Sequence, residues 1–226
     1  MKSQNQGLLG EGISSEDTDT LVAIGFKSGF LRILDLSEMK IVHETLLFQS
    51  PVMDIDFSLN NKFMAIFYKS GKIVIINKEK GKFTPVKNID YELPNSNYCS
   101  LSFSPDSTML ANISSNANTV TVWETRNFSL RYYLDITGDI IQKLQFAPNG
   151  KDIVILTTSS KLKFYRLGSS MRDTELTHIK DSYGVTDMEC LDFQISRNNK
   201  FILCAGKEGV IKVYDYFMRG EVVASS

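Results

Sequence analysis

Histidine and cysteine are scarce in this sequence, with two histidines and three cysteines among 226 residues. Cys99, Cys190 and Cys204 leave at least one thiol unpaired and show no C-x-x-C spacing, so neither a disulfide framework nor a zinc site is indicated. Each cysteine lies inside an apolar alternating run, as reduced core thiols do. His43 and His178 stand far from any cysteine or acidic cluster, and a histidine-rich metal centre is hard to build from them. No run approaches the roughly 20 apolar residues of a membrane-spanning helix, and Met1 to Gly12 lacks the apolar stretch of a signal peptide. A cytoplasmic address is the expectation, with the nucleus as the other option.

Excess charge is lacking too: the net charge is -1, which removes the global electrostatic argument for nucleic acid. Walker loops, G-x-G-x-x-G, G-x-S-x-G and H-E-x-x-H signatures are all absent. Asp54, Asp56, Asp187, Glu189 and Asp192 invite a paired-carboxylate reading, but none has an identifiable acid/base partner. They read instead as solvated strand faces and bonds between repeats. A non-enzymatic protein without cofactor or small-molecule substrate is therefore expected.

What the sequence has is a repeat. Four alternating runs end in phenylalanine: Met53 to Phe57, Cys99 to Phe103, Gln142 to Phe146 and Glu189 to Phe193, and the phenylalanines are 46, 43 and 47 residues apart. A polar turn follows each one, then a second apolar strand: Phe63 to Tyr68, Met109 to Ile113, Ile153 to Thr157 and Phe201 to Ala205. Third strands fall at Lys72 to Asn77, Thr119 to Glu124, Lys161 to Arg166 and Val210 to Asp215. More polar fourth strands fall at Phe83 to Ile89, Leu130 to Ile136, Thr174 to Ile179 and Glu221 to Ser225. At the front, Leu21 to Gly25, Phe30 to Leu36 and Ile41 to Leu47 match second, third and fourth strands without a first. Period-2 alternation and β-branched residues favour strands over helices throughout.

Thr119-Val120-Thr121-Val122-Trp123-Glu124 and the turns Phe103-Ser104-Pro105-Asp106-Ser107 and Phe146-Ala147-Pro148-Asn149-Gly150 resemble the WD-repeat β-propeller family. The resemblance covers 20–226 and implies an all-β fold of about five degenerate four-stranded blades, the first incomplete, within a larger or additional propeller. The units are 20–47, 52–89, 99–136, 141–179 and 188–226, after a flexible lead-in over 1–19. The Gly-His opening dipeptide and the aspartate between second and third strands are missing, so the family's His, Asp, Ser/Thr and Trp network cannot be complete. Trp123 is expected to pack within its blade rather than serve as a stacking platform.

That resemblance implies a protein-interaction scaffold, with one face formed by loops between fourth and first strands and between second and third strands. Its contact candidates are Tyr68, Lys69, Tyr98, Asn116, Asp139, Tyr183 and Lys207. From Gly138 to Lys180 seven basic residues face four acidic ones, a balance of +3. Lys161, Lys163 and Arg166 there are candidates for an acidic partner such as tubulin. The ending Lys212-Val213-Tyr214-Asp215-Tyr216 and the degenerate repeats resemble large multi-propeller proteins of centrioles and ciliary axonemes, which implies a microtubule-associated, cytoskeletal component. Two alternatives stand beside it: a substrate receptor in an enzyme complex such as a ubiquitin ligase, and a phosphoinositide-binding propeller. Phe217-Met218-Arg219-Gly220 departs from the lipid binders' Phe-Arg-Arg-Gly by losing one arginine.

Overall fold

The computed structural model describes residues 20–91, 98–114, 117–168, 177–181, 188–217 and 222–225, with backbone alone at 177–181 and 222–225. These residues form antiparallel β-sheet throughout, and among them no helix occurs. The first sheet has three strands, β1 (Leu21–Gly25), β2 (Phe30–Asp35) and β3 (Lys40–Leu46), in that order. Four four-stranded sheets follow in chain order. The second is β4 (Val52–Phe57), β5 (Phe63–Tyr68), β6 (Lys72–Glu79) and β7 (Lys82–Asp90). The third is β8 (Leu101–Phe103), β9 (Met109–Ile113), β10 (Thr119–Glu124) and β11 (Leu130–Asp135). The fourth is β12 (Ile141–Phe146), β13 (Asp152–Thr157), β14 (Leu162–Arg166) and β15 (Thr177–Asp181). The fifth is β16 (Cys190–Ile195), β17 (Phe201–Gly206), β18 (Ile211–Asp215) and β19 (Val222–Ser225). Every expected strand is present within two or three residues, and among the described residues the front unit has three strands.

Two turns recur at atomic detail. After β4, β8 and β16 a serine hydroxyl bonds an Asn or Asp two residues on and accepts the N–H that opens the next strand: Phe63 N to Ser58 Oγ at 2.8 Å, Met109 N to Ser104 Oγ at 2.9 Å and Phe201 N to Ser196 Oγ at 2.9 Å. In the fourth sheet Ala147 has no hydroxyl, and Asn149 Oδ1 takes the Asp152 N–H instead at 3.1 Å. Between second and third strands, all five sheets close a turn with a left-handed residue: Gly29, Gly71, Ala117, Ser160 and Gly209. Ala117 and Ser160 adopt it at φ 55° and 58° despite carrying a Cβ.

Apolar side chains on facing strands join each sheet to the next. Leu21 and Ile33 pack with Ile66 and Val74; Phe67 and Ile75 with Leu101 and Phe103; Ala111 and Val122 with Leu144 and Ile155; Val154 and Phe164 with Phe193 and Cys204. Each fully buried aliphatic side chain in these layers contributes about 1.5–3 kcal/mol. Polar fasteners run along the first strands as well. Asp54 and Asp56 on β4 accept the N–H groups of Leu101 and Phe103 at 2.8 and 2.7 Å. In the next sheet Ser100 and Ser102 accept from Leu144 at 3.2 Å and Phe146 at 3.0 Å. Between the fourth and fifth sheets Gln142 Nε2 donates to Leu191 O at 2.8 Å, while Lys143 binds the Asp192 carboxylate and Phe193 O. The acidic residues of β4 thus bond between repeats, as expected of them.

The equivalent phenylalanines differ in depth. Phe103, Phe146 and Phe193 are buried, but Phe57 is only half-buried: among the described residues, the first sheet brings no first strand to flank β4 as β4 itself flanks β8. In the third sheet the expected gap in the polar network is filled by other residues. Asn112 Oδ1 accepts from Trp123 Nε1 at 2.9 Å and Thr121 Oγ1 at 3.0 Å. Its amide donates to Tyr91 OH and Ile113 O, both at 3.0 Å. One asparagine therefore uses all of its bonding capacity, within its own sheet and on Tyr91, which follows β7 of the second sheet.

Candidate functional site

A concavity lies where the third and fourth sheets meet, on the face formed by loops joining fourth to first and second to third strands. It encloses about 790 Å³ and is lined by Asn118, Thr119, Tyr133, Asp135, 136–140 and Thr158. Three backbone bonds set its walls: Ile136 N to Asn118 O, Ile141 N to Ala117 O, both 2.6 Å, and Thr158 N to Ile140 O at 2.9 Å. Gly138 turns the loop at φ 76°.

Two carboxylates face this space. Asp135 ends β11 opposite Thr119 in register, and its Oδ1 accepts from Thr119 Oγ1 at 2.8 Å and Tyr133 OH at 3.0 Å. Asp139 accepts from Ser159 Oγ at 2.5 Å and its neighbour's N–H, Ile140, at 3.0 Å. Burial raises the Asp139 pKa, but hydrogen bonds from Ser159, Thr157 and Ile140, with the nearby Lys163 charge, outweigh it and hold the carboxyl below the usual range. Tyr133 and Ile140 stay about half exposed at the rim. The result is an anionic pocket with an aromatic lip, suited to a cationic side chain. Among the described residues no three His, Cys, Asp or Glu gather as metal ligands would.

The expected contact residues separate on inspection. Asp139 lines the pocket, Lys69 is exposed, and Tyr98 is partly exposed at 37%. Lys207 is exposed and paired with Glu189 at 3.0 Å, which raises its pKa. Tyr68 is a correction: it is fully buried, edge-on to Phe48 at 5.4 Å, its pKa pushed up to about 12 by burial, so it is core rather than contact. Arg166 is exposed, and its guanidinium binds the buried Asp152 through Nε at 2.8 Å and Nη2 at 3.2 Å, which ties β14 to β13. Lys161 is exposed and Lys163 half-buried on the same strand face. Asn116, Tyr183 and Met218 to Gly220 lie outside the described residues, as does the lead-in over 1–19.

Asp135 and Tyr133 were missed, although a signal was present: Asp90, Asp135 and Asp181 end three successive fourth strands. Asp90 pairs with Lys72 at 3.1 Å, whereas Asp135 stands opposite a threonine and has no cation across from it in register. No protein-family model matches this chain, and no curated protein matches it.

Proposed function

We propose that the chain is a non-catalytic interaction scaffold of the WD-repeat propeller type, holding a partner protein at the loop face of its third and fourth sheets. The observation that carries this reading is the anionic, aromatic-rimmed pocket on the face where repeat position alone put the contact loops. A partner suited to it presents lysine or arginine on an extended segment, with the cation between Asp135 and Asp139 and against Tyr133. Proximity labelling with the full-length protein, wild type against the Tyr133→Ala/Asp135→Asn/Asp139→Asn variant, tests it. Loss of a defined set of partners with folding unchanged supports the reading; identical sets overturn it.

Tubulin is a second, narrower proposal, and the centriolar or ciliary address goes with it. Its basic patch is reduced, since Lys143 binds Asp192 and Arg166 binds Asp152. Lys161 and Lys163 are the residues that favour it. Replacing both by glutamate should weaken salt-sensitive co-sedimentation of the full-length protein with microtubules, and unchanged sedimentation removes the patch.

A further inference from the structure

We infer that the end of the molecule opposite the anionic pocket is a docking face for a bilayer bearing anionic phospholipid, with apolar turn tips entering the lipid and unpaired cations meeting the headgroups. The turns after first strands and after third strands lie at this end, and one backbone bond in each sheet ties them together. In the second sheet Lys78 N donates to Lys62 O at 2.7 Å. In the third, fourth and fifth, Thr125 N to Thr108 O, Leu167 N to Lys151 O and Tyr216 N to Lys200 O do the same at 2.8, 2.9 and 2.8 Å. Leu36 N and Thr20 O make the equivalent bond in the first sheet at 2.9 Å, which puts the β2–β3 turn at this end too.

Two independent observations meet here. Among the described residues the three most exposed large apolar side chains are Met39 at 78%, Phe217 at 69% and Leu59 at 68%, and all three stand on these turns. Leu59 takes the place of Pro105 and Pro148 in the next two sheets, where a proline pre-sets the turn. A leucine has no such use there, and it packs in neither adjoining core. The second observation is charge. Lys62, Lys80, Lys82 and Arg126 are exposed on the turns of the second and third sheets, and among the described residues none of them makes an ion pair, unlike Lys72, Lys143 and Lys207. Of the acids beside them, Asp106 bonds its own turn and Glu124 binds Arg131, which leaves Glu79 against four cations.

The fold holds these groups forward and together. The β6–β7 ladder runs two pairs beyond Asn77 with Thr84, through Lys78 with Phe83 and Glu79 with Lys82, whereas β10 ends at Glu124, the counterpart of Asn77. Two further residues of strand carry the Lys80-Gly81 tip outward by roughly 6–7 Å. Asn60 N donates to Ser107 Oγ at 3.0 Å and Phe63 meets Phe128 edge-on at 5.4 Å, so the turns that carry Leu59, Lys62 and Arg126 lie side by side. A bilayer is the partner that takes both features. The apolar tips belong to three different sheets and do not make the contiguous patch that a protein interface desolvates, but each can enter the interfacial layer by itself. Each unpaired lysine or arginine near an anionic surface raises the partition about fivefold. A chain of net charge -1 thus keeps a cationic end and an anionic pocket apart.

The probe is a vesicle of roughly one part phosphatidylserine to three of phosphatidylcholine. Flotation should recover the full chain with it, less as salt rises, and vesicles of phosphatidylcholine alone should recover little. Lys62→Glu/Lys80→Glu/Lys82→Glu should lower the partition about a hundredfold. The charge-matched Lys27→Glu/Lys69→Glu/Lys161→Glu variant, altered at the pocket end, should stay within about twofold of wild type. Leu59→Asp should lose about tenfold, and Leu59→Trp should show blue-shifted emission on binding, beyond any change from Trp123, as a purely electrostatic contact would not. Circular dichroism should be unchanged throughout, since every one of these side chains is exposed. No recovery with the anionic vesicles, equal loss in the two charge-reversal variants, an unshifted Leu59→Trp spectrum, or binding to polyglutamate or RNA in place of vesicles would each overturn the inference.

Discussion

The second strands of the middle sheets and of the fifth sheet are built from the same kinds of residue and have different fates. In β9 Leu110, Ala111, Asn112 and Ile113 are all buried, and in β13 every residue from Asp152 to Thr157 is. In β17 the burial alternates: Ile202 and Cys204 are inside, while Leu203 is 42% exposed and Ala205 is exposed too. Hydropathy cannot separate Leu203 from Ile155. What separates them, among the described residues, is a neighbouring sheet on the second face, so burial here belongs to the stack and not to the strand.

The broadest way to break that comparison is hydrogen exchange on the isolated chain. Strands containing Phe103 and Phe146 should exchange slowly, and Leu21 to Leu47 on the order of a hundredfold faster; uniformly slow exchange would show the first sheet to be as well held as the middle ones. Next in size is a core truncation. Ile155→Ala should cost about 2–5 kcal/mol in urea denaturation, whereas Leu203→Ala should stay within about 0.5 kcal/mol, and equal losses would show that the face of Leu203 is covered after all.

A polar counterpart follows. Asn112→Ala leaves Trp123 Nε1, Thr121 and Tyr91 without their shared partner and should cost about 1–3 kcal/mol, detected as a lower urea midpoint with the slope unchanged. The smallest effect concerns pH. Burial raises the Asp152 pKa, but bonds from Arg166, Asn149 and Tyr216 outweigh it and leave the folded-state value below 3.8. Its contribution is therefore fully present above the unfolded value and is lost as pH falls through the folded one. Asp152→Asn should flatten the stability curve below about pH 4 relative to wild type. An unchanged acid limb would remove Asp152 from the account.

Much of this was legible in the sequence because period-2 alternation and turn chemistry are local. The four phenylalanines gave the register, and the Ser-x-Asn/Asp turns marked where strands end. What was illegible depends on neighbours. Tyr68 sits at the end of β5 like a loop residue, but Phe48, twenty positions earlier, covers it. Arg166 reads as a free cation until Asp152 is paired with it across β13 and β14. Phe57 matches Phe146 letter for letter and differs only in what stands beside its strand. The Trp123 network lacks the family's His and Asp, as expected; what the residue types did not reveal is that Asn112, with four bonding positions, replaces them from the second strand.

The fasteners along the first strands have a direction. Side chains of β4 address the backbone of β8, and side chains of β8 address the backbone of β12. The sender must keep a short acceptor at two positions, but the receiver contributes only peptide N–H groups, which any residue except proline supplies. Substitutions therefore weigh unequally on the two sides of each joint. Leu101 and Phe103 could be exchanged for other apolar residues without loosening the bonds that Asp54 and Asp56 make, whereas replacing either aspartate removes a bond to a strand in a different sheet. Joints of this kind let motifs drift and still hold the third sheet in register with the second and the fourth with the third.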